Sequence, residues 1–210
     1  MSENKGRLFF WLMVAACIPD YCFSLLWMNP PAWIFAIAAV AAFLQLGALI
    51  VLCSLLRSRA HWTMLRFQEK QLWVLSSIAF MIKLTLQSLS VIPTLGRSAF
   101  GSRPVIIAYL HLVMLCFISF FLVGFFIREK LFHPGSGVWK MGLVILITGV
   151  VLNEVMLLIQ ALSGMNYGIW LSASFLLFVA ASIIFGGVFL MFIAQMKLEK
   201  NGTEQIPISD

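Results

Sequence analysis

Apolar residues in this chain run in six long blocks separated by short polar breaks. The clearest block is Pro104 to Ile127, PVIIAYLHLVMLCFISFFLVGFFI, with no formal charge and a single histidine, His111. About 20 apolar residues at 1.5 Å each cover a hydrocarbon core of roughly 30 Å, so this block predicts a membrane-crossing helix. The same reading gives spans at Leu8 to Trp27, Ala32 to Leu56, Gln71 to Val91, Met141 to Leu162 and Ile169 to Met196. The last is long enough to require tilt or a projecting end.

The breaks carry the punctuation. Met1 to Arg7 reads as a polar lead, and Met28-Asn29-Pro30-Pro31 as a tight turn with a fresh helix start. Arg57 to Lys70 and Arg128 to Lys140 are basic loops, and Ile92 to Arg103 is a Gly- and Ser-bearing one. Trp62 and Trp73 are placed for the headgroup level. Ser163 to Gly168 is a short uncharged loop, and residues 197–210 read as a flexible tail.

Composition agrees with the pattern. The chain is 62% hydrophobic and 10% charged, against roughly 45–50% and 25% in soluble domains, so most side chains are expected to meet lipid. A net charge of +6 does not indicate nucleic acid, because the basic residues sit in loops between apolar blocks. Eleven of the fourteen Lys and Arg residues fall on the side of the two termini, while Arg97 and Arg103 lie opposite and Lys83 lies inside a span. The positive-inside rule then puts both termini in the cytoplasm, and the sequon Asn201-Gly202-Thr203 on the wrong side for glycosylation. Cys17, Cys22, Cys53 and Cys116 form no C-x-x-C pair and indicate neither zinc nor a disulfide framework. Val14-Ala15-Ala16-Cys17 resembles a lipoprotein cleavage box, but the apolar run continues past it as a retained span.

With this orientation the intramembrane polar residues can be ranked by depth. Asp20, Lys83 and Glu154 each sit roughly 18–20 Å from the cytoplasmic end of their helices, and His111 roughly 10 Å below the outer end. Four helices therefore bring one ionisable group each to a common level in the outer half of the bilayer. A charge in hydrocarbon costs at least about 2.5–3.5 kcal/mol, so these groups are expected to face inward and pair, in one network of Asp20, Lys83, Gln87, Asn153 and Glu154. Ser76, Lys83, Gln87 and Ser90 form a polar stripe on one face of the third helix. Such a network equally suits helix register alone. Ser182 and Gly186 give a small-xxx-small spacing suited to helix packing.

No phosphate loop, nucleophile elbow, zinc helix or dinucleotide fingerprint occurs, no catalytic residue can be assigned, and His61 and His133 lie in cytoplasmic loops away from His111. The stretches Asp20 to Leu46, Lys83 to Ser90, and Phe100-Gly101-Ser102-Arg103-Pro104 with Ile107-Ala108-Tyr109-Leu110-His111-Leu112 resemble the C-terminal half of a family of uncharacterised bacterial multi-pass membrane proteins. That family is distantly similar to haem-copper oxidase subunit I and nitric-oxide-handling proteins. The resemblance implies a haem or metal association with His111 as axial ligand, and a second membrane subunit carrying further histidines, since longer members bear a histidine-containing half that this chain lacks. It also implies glycine where Cys116 stands.

The expectation is an all-α, six-span protein of the bacterial inner membrane, incomplete as an enzyme by itself. Three readings of its function stand open: a haem- or metal-associated subunit, a proton- or ion-coupled carrier using Asp20, Lys83, His111 and Glu154, and a structural subunit.

Overall fold

A computed structural model of the chain describes residues 2–28, 31–57, 65–132, 134–162 and 167–203, with side chains at all of these except 2, 27, 97–100, 162, 167–173 and 198–203. The turn at Asn29-Pro30, His61, Trp62, His133, and residues 163–166 and 204–210 lie outside the described residues. The elements are α1 (Ser2–Asp20) continued by a 3-10 segment (Tyr21–Met28), α2 (Ala32–Leu56), α3 (Phe67–Leu89), α4 (Pro93–Phe100), α5 (Arg103–His111) continued by a π-helical stretch (Leu112–Ser119), α6 (Phe120–Arg128), α7 (Gly137–Leu162) and α8 (Tyr167–Thr203). There is no strand among the described residues.

Six helical segments are long and apolar enough to cross a bilayer: Glu3–Leu26, Ala32–Leu56, Phe67–Leu89, Arg103–Arg128, Gly137–Ala161 and Ser174–Lys197. The outer surface agrees with a lipid solvent, because large apolar side chains such as Phe43, Ile50 and Phe185 stand mostly exposed. The boundaries differ from the sequence reading at three places. Helix α1 takes in the polar lead from Ser2, α8 continues through the first residues of the supposed tail to Thr203, and the loop after α3 contains a helix, α4. Pro93 explains the last, since its missing N–H and fixed φ suit a first helical position.

The helices pack along small-residue seams. On α7 the buried residues Trp139, Leu143, Leu146, Val150, Asn153 and Leu157 recur at intervals of four and three, one face of a coiled-coil-like contact. On α8, Ala180 and Ala194 are buried seven residues either side of Gly187. A Cβ built on Gly187 would stand 2.6 Å from the Leu146 nitrogen and 2.9 Å from the Gly142 oxygen, so only glycine permits this backbone approach. Gly186 has nothing within 4 Å of its built Cβ, and Ser182 is exposed with its hydroxyl on the Phe178 carbonyl. The packing glycine of α8 is therefore Gly187 and not the Ser182/Gly186 pair, because the buried face of α8 lies one residue further round. Trp73 is likewise packed inward, against Gly124 of α6 and 5.3 Å from the Phe121 ring.

Two apolar cores result. One joins Leu72 of α3, Phe120 and Ile127 of α6, Trp139 to Val150 of α7, and Met191 and Ala194 of α8. The other joins Phe23 and Leu26 of the 3-10 segment to Ala38, Ala41 and Ala42 of α2, with Val91 against it. Asp20, Gln45 and Gln87 fall along their helices on the near side of this second core, and Leu72 and Phe120 mark the beginning of the first.

Candidate functional site

Pro19 fixes the position of the site. A proline inside a helix removes a backbone donor and crowds the preceding turn, and here α1 ends one residue later, at Asp20, where the chain tightens into the 3-10 segment. Asp20 thus sits at a change of helix type. Opposite it, α2 presents Ile34, Ala38, Ala41, Gln45 and Ala48 on one buried stripe at intervals of four and three. The alanines let α1 approach closely, and Gln45, with none of its surface exposed, reaches across.

The Gln45 amide nitrogen donates to Asp20 Oδ1. The Gln87 amide on α3 donates to the same oxygen at 2.8 Å. The Tyr109 hydroxyl on α5 donates to Gln87 Oε1 over a long 3.5 Å. Four membrane-crossing segments are tied by this chain from Tyr109 through Gln87 to Asp20 and Gln45. Lys83, one turn before Gln87, lies in the electrostatic field of Asp20 without closing a direct ion pair to it. Gln45 Oε1 is buried with no partner, so the group keeps one free acceptor in a place closed to bulk water.

A second polar group stands on the far face of α5. His111 Nδ1 is 2.9 Å from the Ile107 carbonyl, and His111 lies in the field of Glu154 on α7. Beside Glu154 are Asn153, 6% exposed, and Cys116 of the π-helical stretch. Asn153 Nδ2 and Glu154 Oε1 are both buried without a partner. The single network expected from sequence is therefore two groups: Asp20, Gln45, Lys83, Gln87 and Tyr109 on one side, His111, Cys116, Asn153 and Glu154 on the other. The cause is azimuth. Tyr109 and His111 are two residues apart, about 200° around a helix at 100° per residue, so one helix places them at nearly equal depth on opposite faces. The carboxylate facing Lys83 is Asp20, and Glu154 faces His111.

Gln45, Tyr109 and Cys116 are the residues that a ranking of ionisable groups in spans passes over. Gln45 did carry a signal, as the one strong hydrogen-bonding side chain on the alanine stripe of α2. The π-helical stretch had none, although it sits next to His111, and π turns recur at functional sites. Its carbonyls are served sideways: Ser76 Oγ donates to the Phe117 oxygen at 3.0 Å and Ser119 Oγ to the Met114 oxygen, five residues back, at 2.9 Å.

Among the described residues no three or more His, Cys, Asp or Glu side chains are grouped to hold a metal ion. His111 has Nδ1 committed to a backbone carbonyl and Nε2 left over, which suits one axial position of a haem and no more. The described residues therefore do not by themselves fit a metal centre or a doubly ligated haem. Comparison with protein-family models, with curated proteins and with solved structures yields no match.

Proposed function

We propose that this chain is a multi-pass protein of the bacterial inner membrane, with both termini in the cytoplasm, that carries protons or small cations through its polar interior. The observation behind this reading is Asp20: a carboxylate beside the second apolar core, held by the amides of Gln45 and Gln87 and facing a resident cation, Lys83. Carboxylates at such depth in a membrane bundle mark ion and proton pathways, because their desolvation is costly unless a cation is available to compensate them. The two amides orient the carboxylate, and Lys83 compensates it when no other cation is bound. A proton or small cation arriving at Asp20 competes with the Lys83 ammonium for the same charge, so uptake at one loosens the other. Tyr109 leads from this group to the helix that also carries His111, where Glu154 offers a second proton acceptor.

Purified protein in liposomes, assayed with an internal pH or cation indicator, should dissipate an imposed gradient. Asp20→Asn should reduce the flux at least about tenfold while the protein remains folded, as expected for loss of the charge that binds the cation. Wild-type liposomes no leakier than empty ones would refute the carrier, and would leave the polar level with the structural role of fixing helix register.

The second reading, a haem-associated subunit completed by a partner that supplies further histidines, is favoured by the free Nε2 of His111. A Soret band in the complex purified from its native membrane, lost or shifted in His111→Ala, tests it.

A further inference from the structure

At the end of the bundle where α3 and α7 begin lies a cavity of about 420 Å³ lined by Arg66, Phe67, Gln68 and Gln71 on one side and Pro134, Gly135, Lys140, Leu143 and Val144 on the other. Its chemistry is divided. Arg66, immediately before α3, and Lys140, on α7, both line it, accompanied by the carboxamides of Gln68 and Gln71. Among the described residues no carboxylate lines it, and Glu69, the nearest in sequence, is buried at 6% exposure. The remaining wall is apolar, and two of its members open onto the outer surface of the bundle: Phe67 is 74% and Val144 62% exposed. The backbone starts of α3 and α7 also border it, which adds to the positive potential but is not its basis.

We infer that this cavity binds the headgroup of an anionic phospholipid. Two cations and two amides suit a phosphodiester, which accepts charge-assisted hydrogen bonds on its oxygens. The exposed Phe67 and Val144 give the acyl chains a path along the bundle, and this selects a lipid over a free phosphate. Basic pockets between membrane helices at the interfacial level bind anionic headgroups in this manner. The site lies on the first apolar core, because Leu143 belongs to both, so an occupied cavity braces α3 against α7.

The test is lipid retention. Protein reconstituted in nanodiscs of mixed phosphatidylcholine and phosphatidylglycerol, extracted and examined by native mass spectrometry, should retain phosphatidylglycerol at least about tenfold over its bulk share, as expected from two basic residues at one headgroup. Arg66→Gln with Lys140→Gln should abolish the enrichment, Arg66→Lys with Lys140→Arg should keep most of it, and Arg128→Gln, outside the cavity, should leave it unchanged. Both substituted positions are exposed, so the fold should survive, which circular dichroism would verify. Equal retention of the two lipids, or enrichment that persists in the double glutamine variant, overturns the inference. Release of phosphatidylglycerol by inorganic phosphate alone would assign the cavity to a soluble anion and overturn it as a lipid site.

Discussion

Replacing Asp20 by leucine should expose how much of the bundle depends on one carboxylate. The substitution removes the acceptor of two amide donors, Gln45 Nε2 and Gln87 Nε2, and the first belongs to a side chain with no exposed surface. Neither amide nitrogen makes a second hydrogen bond among the described residues, so both donors lose their acceptor. Polar contacts inside membrane bundles average about 0.6 kcal/mol and reach about 1.7, and bonds to a charged acceptor in soluble proteins are worth about 1.5–3. Two such bonds give an expected loss of about 2–4 kcal/mol. Asp20→Asn keeps one carbonyl oxygen for the two amides and loses only the charge, so it should cost about 1 kcal/mol. Lys83 supplies the internal check: in a Lys83→Met background the cost of Asp20→Leu should fall, because the leucine no longer strands a cation. Unfolding in mixed detergent micelles, followed by circular dichroism, measures wild type and the four variants on one scale. Asp20→Leu within about 0.5 kcal/mol of wild type, the range of an inert surface change, would refute the reasoning. So would an asparagine as damaging as leucine.

Other outcomes follow from the same contacts. Gly187→Ala should destabilise by about 1–3 kcal/mol because its Cβ meets backbone that cannot yield, whereas Gly186→Ala should be neutral or slightly stabilising, as measured by the same unfolding assay. Single cysteines introduced as Arg97→Cys and Lys130→Cys in an otherwise cysteine-free chain should label from opposite sides of the membrane, with Lys130→Cys on the cytoplasmic side; labelling from one side would remove the six-crossing topology. Native complex that is colourless and free of metal by elemental analysis would end the haem reading of His111.

The fold was legible in the sequence to the extent that lipid imposes it. A bilayer demands about 20 apolar residues per crossing, and that demand writes six blocks that no local propensity can blur. What it does not write is rotation about each helix. The depth argument placed Asp20, Lys83, His111 and Glu154 at one level, and the structure sets Lys83 in the field of Asp20 and His111 in the field of Glu154. Depth follows from counting residues, but azimuth depends on which neighbour each face meets, and in a uniformly apolar helix no amphipathic pattern records it. The same loss explains Gly187, one position from the pair that spacing suggested, and Gln45, whose importance comes from an alanine stripe on α2 and the helix end set by Pro19 on α1. The π-helical stretch from Leu112 to Ser119 breaks the 3.6-residue count itself, so faces extrapolated from Tyr109 or His111 do not carry through to α6. The oxidase-like resemblance rested on a short run around His111, and no comparison with known proteins extends it.

The bond between Gln45 and Asp20 has a consequence for biogenesis. Both residues belong to the hairpin of α1 and α2, whereas Lys83, Gln87 and Tyr109 arrive later, with α3 and α5. Helices that insert before they associate must tolerate their polar groups in the interval, and a carboxylate without company is the most expensive of these. Here the second helix brings an amide directly to it along a seam of alanines. The hairpin therefore leaves the insertion machinery with its most hydrophilic atom already sheltered, and the later helices complete a coordination shell that the nascent chain has begun.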